Sequence, residues 1–256
     1  TVAGGALKNN CSPRQWAVGK KNEKKASPAT VCSPRQRVGR ENKIIEQINY
    51  LCTMAKIIKI YPENPQEHLI DEVVKALQQG KLIIYPSDTV YALGCNIFDI
   101  KAMERLAQIK KIKLEKAHFS IICNNLSHLS EFTKPIDTAT FRFLKSHIPG
   151  NFTFILEANK SLPLAYKGKK TIGIRVPDHP IPQLIVEKMG YPIASTSIKD
   201  EDEVLEYSTD PELIAEKYDH LVDIVIDSGF GGNIASTIVD LTSGNPEIIR
   251  QGKGIL

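Results

Sequence analysis

From Lys56 onward, short runs rich in Val, Ile and Phe alternate with longer segments whose apolar residues recur at helical spacing. This alternation constrains the fold more than any other feature of the chain. A short β-branched run must bury both faces in a sheet, and an amphipathic helix must lay its apolar stripe on that sheet. Such a pattern predicts a mixed, twisted α/β sheet with helices packed on it.

The elements read off in order. Lys56–Ile60 is a β-branched run, followed by Asn64-Pro65 as a helix opening, with Asn64 as N-cap. Leu69, Ile70, Val73, Val74 and Leu77 then form one helical stripe, which Gly80 ends. Strands are expected at Leu82–Tyr85, Val90–Gly94, Phe119–Cys123, Phe152–Leu156, Thr171–Val176, Ile193–Ser195, Val222–Ile226, Thr237–Leu241 and Ile248–Arg250. Helices are expected at Lys101–Lys110, Thr138–Ser146, Pro182–Lys188 and Glu212–Lys217.

Residues 1–53 lack this order. They are rich in Lys, Asn, Ser, Gly and Pro, show no sustained period, and repeat Cys-Ser-Pro-Arg-Gln at Cys11–Gln15 and Cys32–Gln36. Such composition does not offset the entropy of ordering a chain, so a disordered or non-native leader is expected there. Met54-Ala55-Lys56 reads as a translation start, which divides the chain into a leader, 1–53, and a domain, 54–256. Charge divides in the same place. The leader carries ten Lys or Arg against three Glu, a net of +7, and the remainder carries 23 basic and 26 acidic residues, a net of −3. An anion site in the domain must therefore be a local cluster rather than a property of the whole molecule.

No apolar run reaches the roughly 20 residues of a membrane span, and no export signal is evident. Five cysteines without zinc-ligand spacing read as reduced thiols of a cytoplasmic protein. Neither a phosphate-binding or dinucleotide glycine fingerprint nor a nucleophile elbow is present.

Three polar segments interrupt the apolar strands, where sites on such sheets lie. Pro86–Gly94 offers Ser and Thr hydroxyls and backbone N–H groups in a turn just after a strand, suited to a phosphate or carboxylate or equally to capping the turn itself. Lys110, Lys111, Lys113 and Lys116 exceed what a helix C-terminus needs, so an anion among them and a solvated helix end are both open readings. Arg175 sits between apolar strand residues in Gly173–Pro180 and must meet an anion or a buried carboxylate. His179, between two prolines, reads as positional rather than as an acid or base. Together these segments describe an anion pocket that positions substrate and neutralises charge.

The same residues resemble a known family. Tyr85–Gly94, YPSDTVYALG, is similar to the YPT-[ED]-TVYGLG signature of the YrdC family, and Thr171–Pro180, TIGIRVPDHP, to its VGVRVPDHP segment. Pro149–Thr153 resembles its PGPLT, while Asp227–Leu241 and Ile249–Gly252 resemble its closing motifs. Two positions depart from the synthases of the family: their Lys-x-Arg reads Lys111-Ile112-Lys113, and their Ser-x-Asn reads Ser197-Ile198-Lys199. These departures, with HFSIIC and GNFTFIL, resemble the YciO branch.

The resemblance implies a YrdC-like fold with a concave basic face that holds nucleotide or RNA. It implies synthesis of threonylcarbamoyl-AMP from L-threonine, bicarbonate and ATP with Mg²⁺, a nucleotidyltransferase step on the way to tRNA modification. Lys111, Lys113 and Arg175 would be catalytic, and Ser87, Thr89, Tyr91, Ser195, Ser197 and Lys199 would bind the amino acid. Lys110, Lys111, Lys113, Ser236, Thr237 and Arg250 would bind the nucleotide. The other readings are a non-catalytic module for double-stranded RNA or tRNA and a ligase-like enzyme for another amino acid.

Overall fold

The computed structural model describes residues 54–198 and 206–256, all within one compact unit, Glu46–Leu256. Its strands are β1 (Lys56–Lys59), β2 (Ile83–Tyr85), β3 (Ala92–Asn96), β4 (Ser120–Ile122), β5 (Phe152–Glu157), β6 (Thr171–Arg175), β7 (Ile193–Ser197), β8 (Ile224–Asp227), β9 (Thr237–Asp240) and β10 (Glu247–Arg250). They form one mixed sheet in the order β1-β8-β2-β3-β7-β4-β6-β5-β9-β10. The helices are α1 (Glu67–Gln78), α2 (Ile100–Ile109), α3 (Leu126–Ser130), α4 (Thr138–His147), α5 (Pro180–Met189), α6 (Glu206–Thr209) and α7 (Pro211–Lys217). Among these residues no helix is long and apolar enough to cross a membrane.

Side chains alternate across the sheet, and each face has its own core. On one face, Ile58, Ile83, Tyr85, Ile122, Ile193, Ile224 and Ile226 meet Ile70, Val73 and Leu77 of α1 and Ile181, Ile185 and Val186 of α5. On the other, Ile84, Leu93, Cys95, Ile121, Phe154, Ile174 and Val225 meet Met103 and Leu106 of α2, Leu144 of α4 and Ile214 of α7. Each such Ile or Leu taken fully out of water contributes about 1.5–3 kcal/mol.

Coverage of the first face is incomplete, and this positions the site. α1 and α5 cover it over the β1 side of the sheet. Beyond Ile122 and Ile193 the same face continues as Ser120, Ser195, Gly173, Arg175, Thr153 and Ile238, and none of the described α-helices contributes to the cavity above them.

Several element boundaries move by one to three residues, and two of these shifts have a visible cause. α1 starts at Glu67 with Gln66 as N-cap, not at Asn64, because Asn64 N–H turns back to the Tyr61 carbonyl. β3 begins at Ala92 rather than Val90, because Ser87 Oγ donates to the Val90 carbonyl and keeps Val90 in the turn. α3, and the single 3₁₀ turns Leu114–Lys116 and Leu164–Tyr166, carry too little periodic signal to be read from sequence. Residues 1–53 lie outside the described residues.

Candidate functional site

The uncovered half of the sheet face is the floor of a cavity of about 290 Å³. That lies at the lower bound of the roughly 300–1,000 Å³ typical of ligand sites and suits a small molecule or one end of a larger one. Small residues make the trough. Gly94, Ser195, Ser120 and Gly173 stand opposite one another across β3, β7, β4 and β6. A Cβ on Gly173 would lie 3.4 Å from Thr153 Cγ2 and 3.5 Å from Ser120 Cβ, so any side chain there would fill the space.

Hydroxyls and cations line this trough. Ser120, Thr153, Thr171, Ser195, Thr196, Ser197 and Ser236 supply the hydroxyls, and Arg175, Arg250 and Lys169 supply positive charge. No Asp or Glu is among the described lining residues. Thr153 Oγ1 and Ser236 Oγ are 2.8 Å apart, so the pair keeps one proton for a ligand. Arg250 Nη2 donates to the Ser236 carbonyl at 3.0 Å, which holds an exposed guanidinium at the rim.

Arg175 links two of the sequence segments. Its Nη2 donates to Thr89 Oγ1 at 2.6 Å and pairs with Asp88 Oδ1. Asp88 Oδ2 also accepts from Asp178 N–H at 3.2 Å, so one carboxylate joins the turn after β2 to the end of β6. Both side chains are less than a tenth exposed. The need of a strand-buried arginine for a partner is met by this carboxylate, yet Arg175 Nε remains buried without one. Arg175 thus has a structural partner and a spare donor in a residue that lines the cavity.

The residues named from sequence divide in space. Arg175, Ser195, Ser197, Ser236 and Arg250 line the cavity together. Ser87 and Thr89 do not, because Ser87 caps its own turn and Thr89 receives Arg175. Tyr91 lies in the core on the opposite face, donating to the Gly229 carbonyl at 2.7 Å, with burial pushing its phenol up to about 12. Thr237 Oγ1 donates to the Gly254 carbonyl at 2.6 Å and accepts from Gly252 N–H, so it ties down the C-terminus instead of facing a ligand. Lys110, Lys111 and Lys113 are not among the lining residues; they lie on the segment that runs into the wall residues Ala117–Phe119, with Lys111 left-handed at φ 54. Lys199 lies outside the described residues.

Sequence reasoning passed over Ser120, Thr153, Thr171 and Lys169. Ser120 and Thr153 had a signal, since each is a lone hydroxyl among apolar residues, HFSIIC and GNFTFIL, in a strand otherwise buried. Lys169 had none, because its place depends on the Glu115 carbonyl that it donates to at 2.6 Å from another loop.

His179 is structural. Pro180 and Pro182 have no N–H, so the first turn of α5 leaves Ile181 and Gln183 to be satisfied. His179 Nδ1 accepts from Ile181 N–H at 3.3 Å, and the His179 carbonyl accepts from Gln183 N–H. Burial lowers its pKa below 6.5, against the opposing pull of Asp88, Asp178 and Glu63. The unfolded chain therefore binds the proton more readily than the native one. Stability is fully present above about pH 6.5 and falls as pH drops toward the lower folded value. Denaturation midpoints followed from about pH 8 to 5 are expected to fall less in His179→Asn, which keeps an acceptor for the cap without titrating.

The fold and the cavity define a mixed α/β sheet domain whose open face carries a cavity lined by hydroxyls and cations. The chain belongs to the Sua5/YciO/YrdC family, whose model, described as telomere recombination, matches residues 75–252. It is 42% identical to an uncharacterized protein of Haemophilus influenzae and 39% identical to Escherichia coli YciO, each over 78% of this chain and 97% of the relative. It is 36% identical to a threonylcarbamoyl-AMP synthase of Coxiella burnetii, over 52% of this chain and 72% of that protein. Among solved structures, E. coli YciO superposes with a TM-score of 0.72 over 79% of this chain and 98% of that one. P. abyssi Sua5 complexed with L-threonine superposes with a TM-score of 0.69 at 28% identity, over 77% of this chain and 57% of that one.

Proposed function

We propose that the cavity binds L-threonine and the phosphates of ATP, and that the chain forms threonylcarbamoyl-AMP from threonine, bicarbonate and ATP with release of pyrophosphate. The observation that carries this reading is the lining itself: seven serine and threonine hydroxyls, Arg175, Arg250 and Lys169, with no carboxylate among the described lining residues. That set favours a ligand rich in anionic oxygens. Relationship to threonylcarbamoyl-AMP synthases and to a Sua5 structure with L-threonine supports the same substrates.

In the proposed sequence, the threonine nitrogen bonds to the bicarbonate carbon with loss of water, and a carbamate oxygen of the resulting N-carboxythreonine then bonds to the α-phosphorus of ATP as the bond to the bridging oxygen breaks. The electron pair leaves with pyrophosphate. Arg250 and Lys169 neutralise the phosphates, and the hydroxyls of Ser120, Thr153 and Ser195 hold the amino acid against the floor. The described lining residues include no carboxylate, and in this reading Mg²⁺ enters as part of the MgATP substrate.

The test is pyrophosphate release by the full chain with MgATP and bicarbonate, with and without L-threonine. Threonine-dependent release is expected, and Arg250→Ala is expected to lower kcat/KM roughly 10- to 100-fold, the loss of a charge-assisted contact. Release that ignores threonine and bicarbonate sinks the proposal.

A second reading has its own observation. Lys110, Lys111, Lys113 and Lys116 on one loop and Lys160, Lys167, Lys169 and Lys170 on another meet through the contact of Lys169 with the Glu115 carbonyl. This is a basic rim of the kind that follows an RNA backbone. If it does, replacing Lys111, Lys113 and Lys170 together by alanine lowers the salt slope of RNA binding by about 3. An unchanged slope assigns any RNA affinity to the +7 leader.

A further inference from the structure

Tyr85 is among the most buried side chains of the protein, at 1% exposure, and its hydroxyl oxygen lies 2.5 Å from Ser195 Oγ. The contact crosses an intervening strand. Tyr85 is on β2 and Ser195 on β7, with β3 between them. Gly94 of β3 stands opposite Ser195, and a Cβ there would be 2.8 Å from Tyr85 Cε1. The glycine therefore opens the path by which the ring lies over β3 and brings its hydroxyl to Ser195. Ser195 in turn lines the cavity.

Either oxygen of this pair could donate, and accounting for the protons decides which one does. Among the described residues Ser195 Oγ is the hydrogen-bond partner of the Tyr85 hydroxyl. If Ser195 donated, the buried phenol proton would be left without an acceptor among the described residues, at a cost of about 1–3 kcal/mol. If Tyr85 donates, no proton is stranded, because the Ser195 proton faces the cavity and finds solvent or ligand. Burial also pushes the Tyr85 phenol up to about 12, so it keeps its proton across the physiological range.

We infer that Tyr85 is a positioning residue: its hydroxyl donates to Ser195 Oγ and commits the Ser195 proton to the cavity, as a donor to an acceptor oxygen of the ligand. The neighbouring serine has the opposite polarity. Ser120 stands opposite Ser195 in register and donates to the Ser195 carbonyl at 3.2 Å, which leaves Ser120 Oγ as an acceptor. A donor beside an acceptor matches an α-amino acid, whose carboxylate accepts and whose ammonium donates. This assignment rests on the cavity being the ligand site, and it predicts which end of the amino acid meets which serine.

Two measurements on the full chain test it. In ligand-free protein with ¹³Cζ-tyrosine, the Tyr85 hydroxyl proton is expected to exchange slowly and to show a cross-peak to the Ser195 Hβ protons. In Ser195→Ala the cross-peak is lost and the Tyr85 Cζ shift moves. A Cζ shift of a phenol that accepts from Ser195 overturns the inference, whether or not any ligand binds.

Calorimetry with L-threonine then forms a double-mutant cycle. Tyr85→Phe keeps the ring over Gly94 and is expected to weaken binding roughly fivefold, about one hydrogen bond. Ser195→Ala is expected to weaken it at least as much, and the double variant no further than Ser195→Ala alone. Losses that multiply in the double variant place Tyr85 outside the path through Ser195 and overturn the inference. If wild type binds no L-threonine, the proposed substrate fails, and the hydroxyl spectrum still decides the proton's direction.

Discussion

Asp88→Ala is expected to lower the free energy of unfolding by about 3–5 kcal/mol, the cost of leaving a buried charge without its partner. Arg175 would remain less than a tenth exposed with Nη2 facing only the Thr89 hydroxyl and Nε still unpartnered. Asp178 N–H would lose its acceptor, and with it the tie between the turn after β2 and the end of β6. Urea denaturation measures the loss. Because the penalty is the orphaned guanidinium, Asp88→Ala/Arg175→Met is expected to recover part of the stability. A single-variant loss below about 1 kcal/mol would mean that solvent reaches Arg175 and that the pair is a surface ion pair in energetic terms.

Gly252→Ala is the second large effect, and it works through backbone geometry rather than charge. A Cβ at 252 would stand 2.2 Å from the Ala235 carbonyl oxygen and 2.5 Å from the Ser236 carbonyl carbon, both main-chain atoms that cannot swing aside. The segment after β10 must then lift from β9. Lifting breaks the bonds of Gly252 N–H and the Gly254 carbonyl to Thr237 Oγ1, and that of Lys253 N–H to the Ala235 carbonyl. Overpacking of this kind costs about 1–3 kcal/mol, and three further bonds at about 1 kcal/mol each bring the expected loss to roughly 4–6 kcal/mol locally. Hydrogen exchange at Gly252 and Lys253 is expected to accelerate accordingly. Arg250, two residues earlier at the end of β10, leaves the Ser236 carbonyl, so on the proposed function ATP affinity is expected to fall with it. Thr237→Val removes the shared hydroxyl without the clash and should give the same pattern at smaller size. Unchanged exchange in both variants would show that the C-terminal segment is held by something other than this network.

Much of the fold is legible because its signal is local. The stripe Leu69, Ile70, Val73, Val74 and Leu77 can bury only as a helix, and Gly80, at φ 77, ends it as the pattern requires. Strand periodicity finds the positions of all ten strands within a residue or two, because a β-branched run between turn residues has few alternatives. The site is legible in part. Arg175 declares itself by being a cation in an apolar strand, and its need for a partner follows from sequence. That the partner is Asp88, 87 positions away, does not.

The amino-acid sequence alone therefore determined the main strands and helices, the family and the need of Arg175 for a partner, since these follow from short-range periodicity, from a cation in an apolar strand and from a motif order read along the chain. Only the tertiary structure decided which hydroxyls line the cavity. Strand order brings β2, β3 and β7 side by side, so Tyr85 reaches Ser195 across Gly94; the same order turns Tyr91 into the opposite core and Thr237 toward Gly254. A hydroxyl's role depends on which atom across the sheet takes its proton, and long-range pairing, which no local pattern encodes, sets that neighbour.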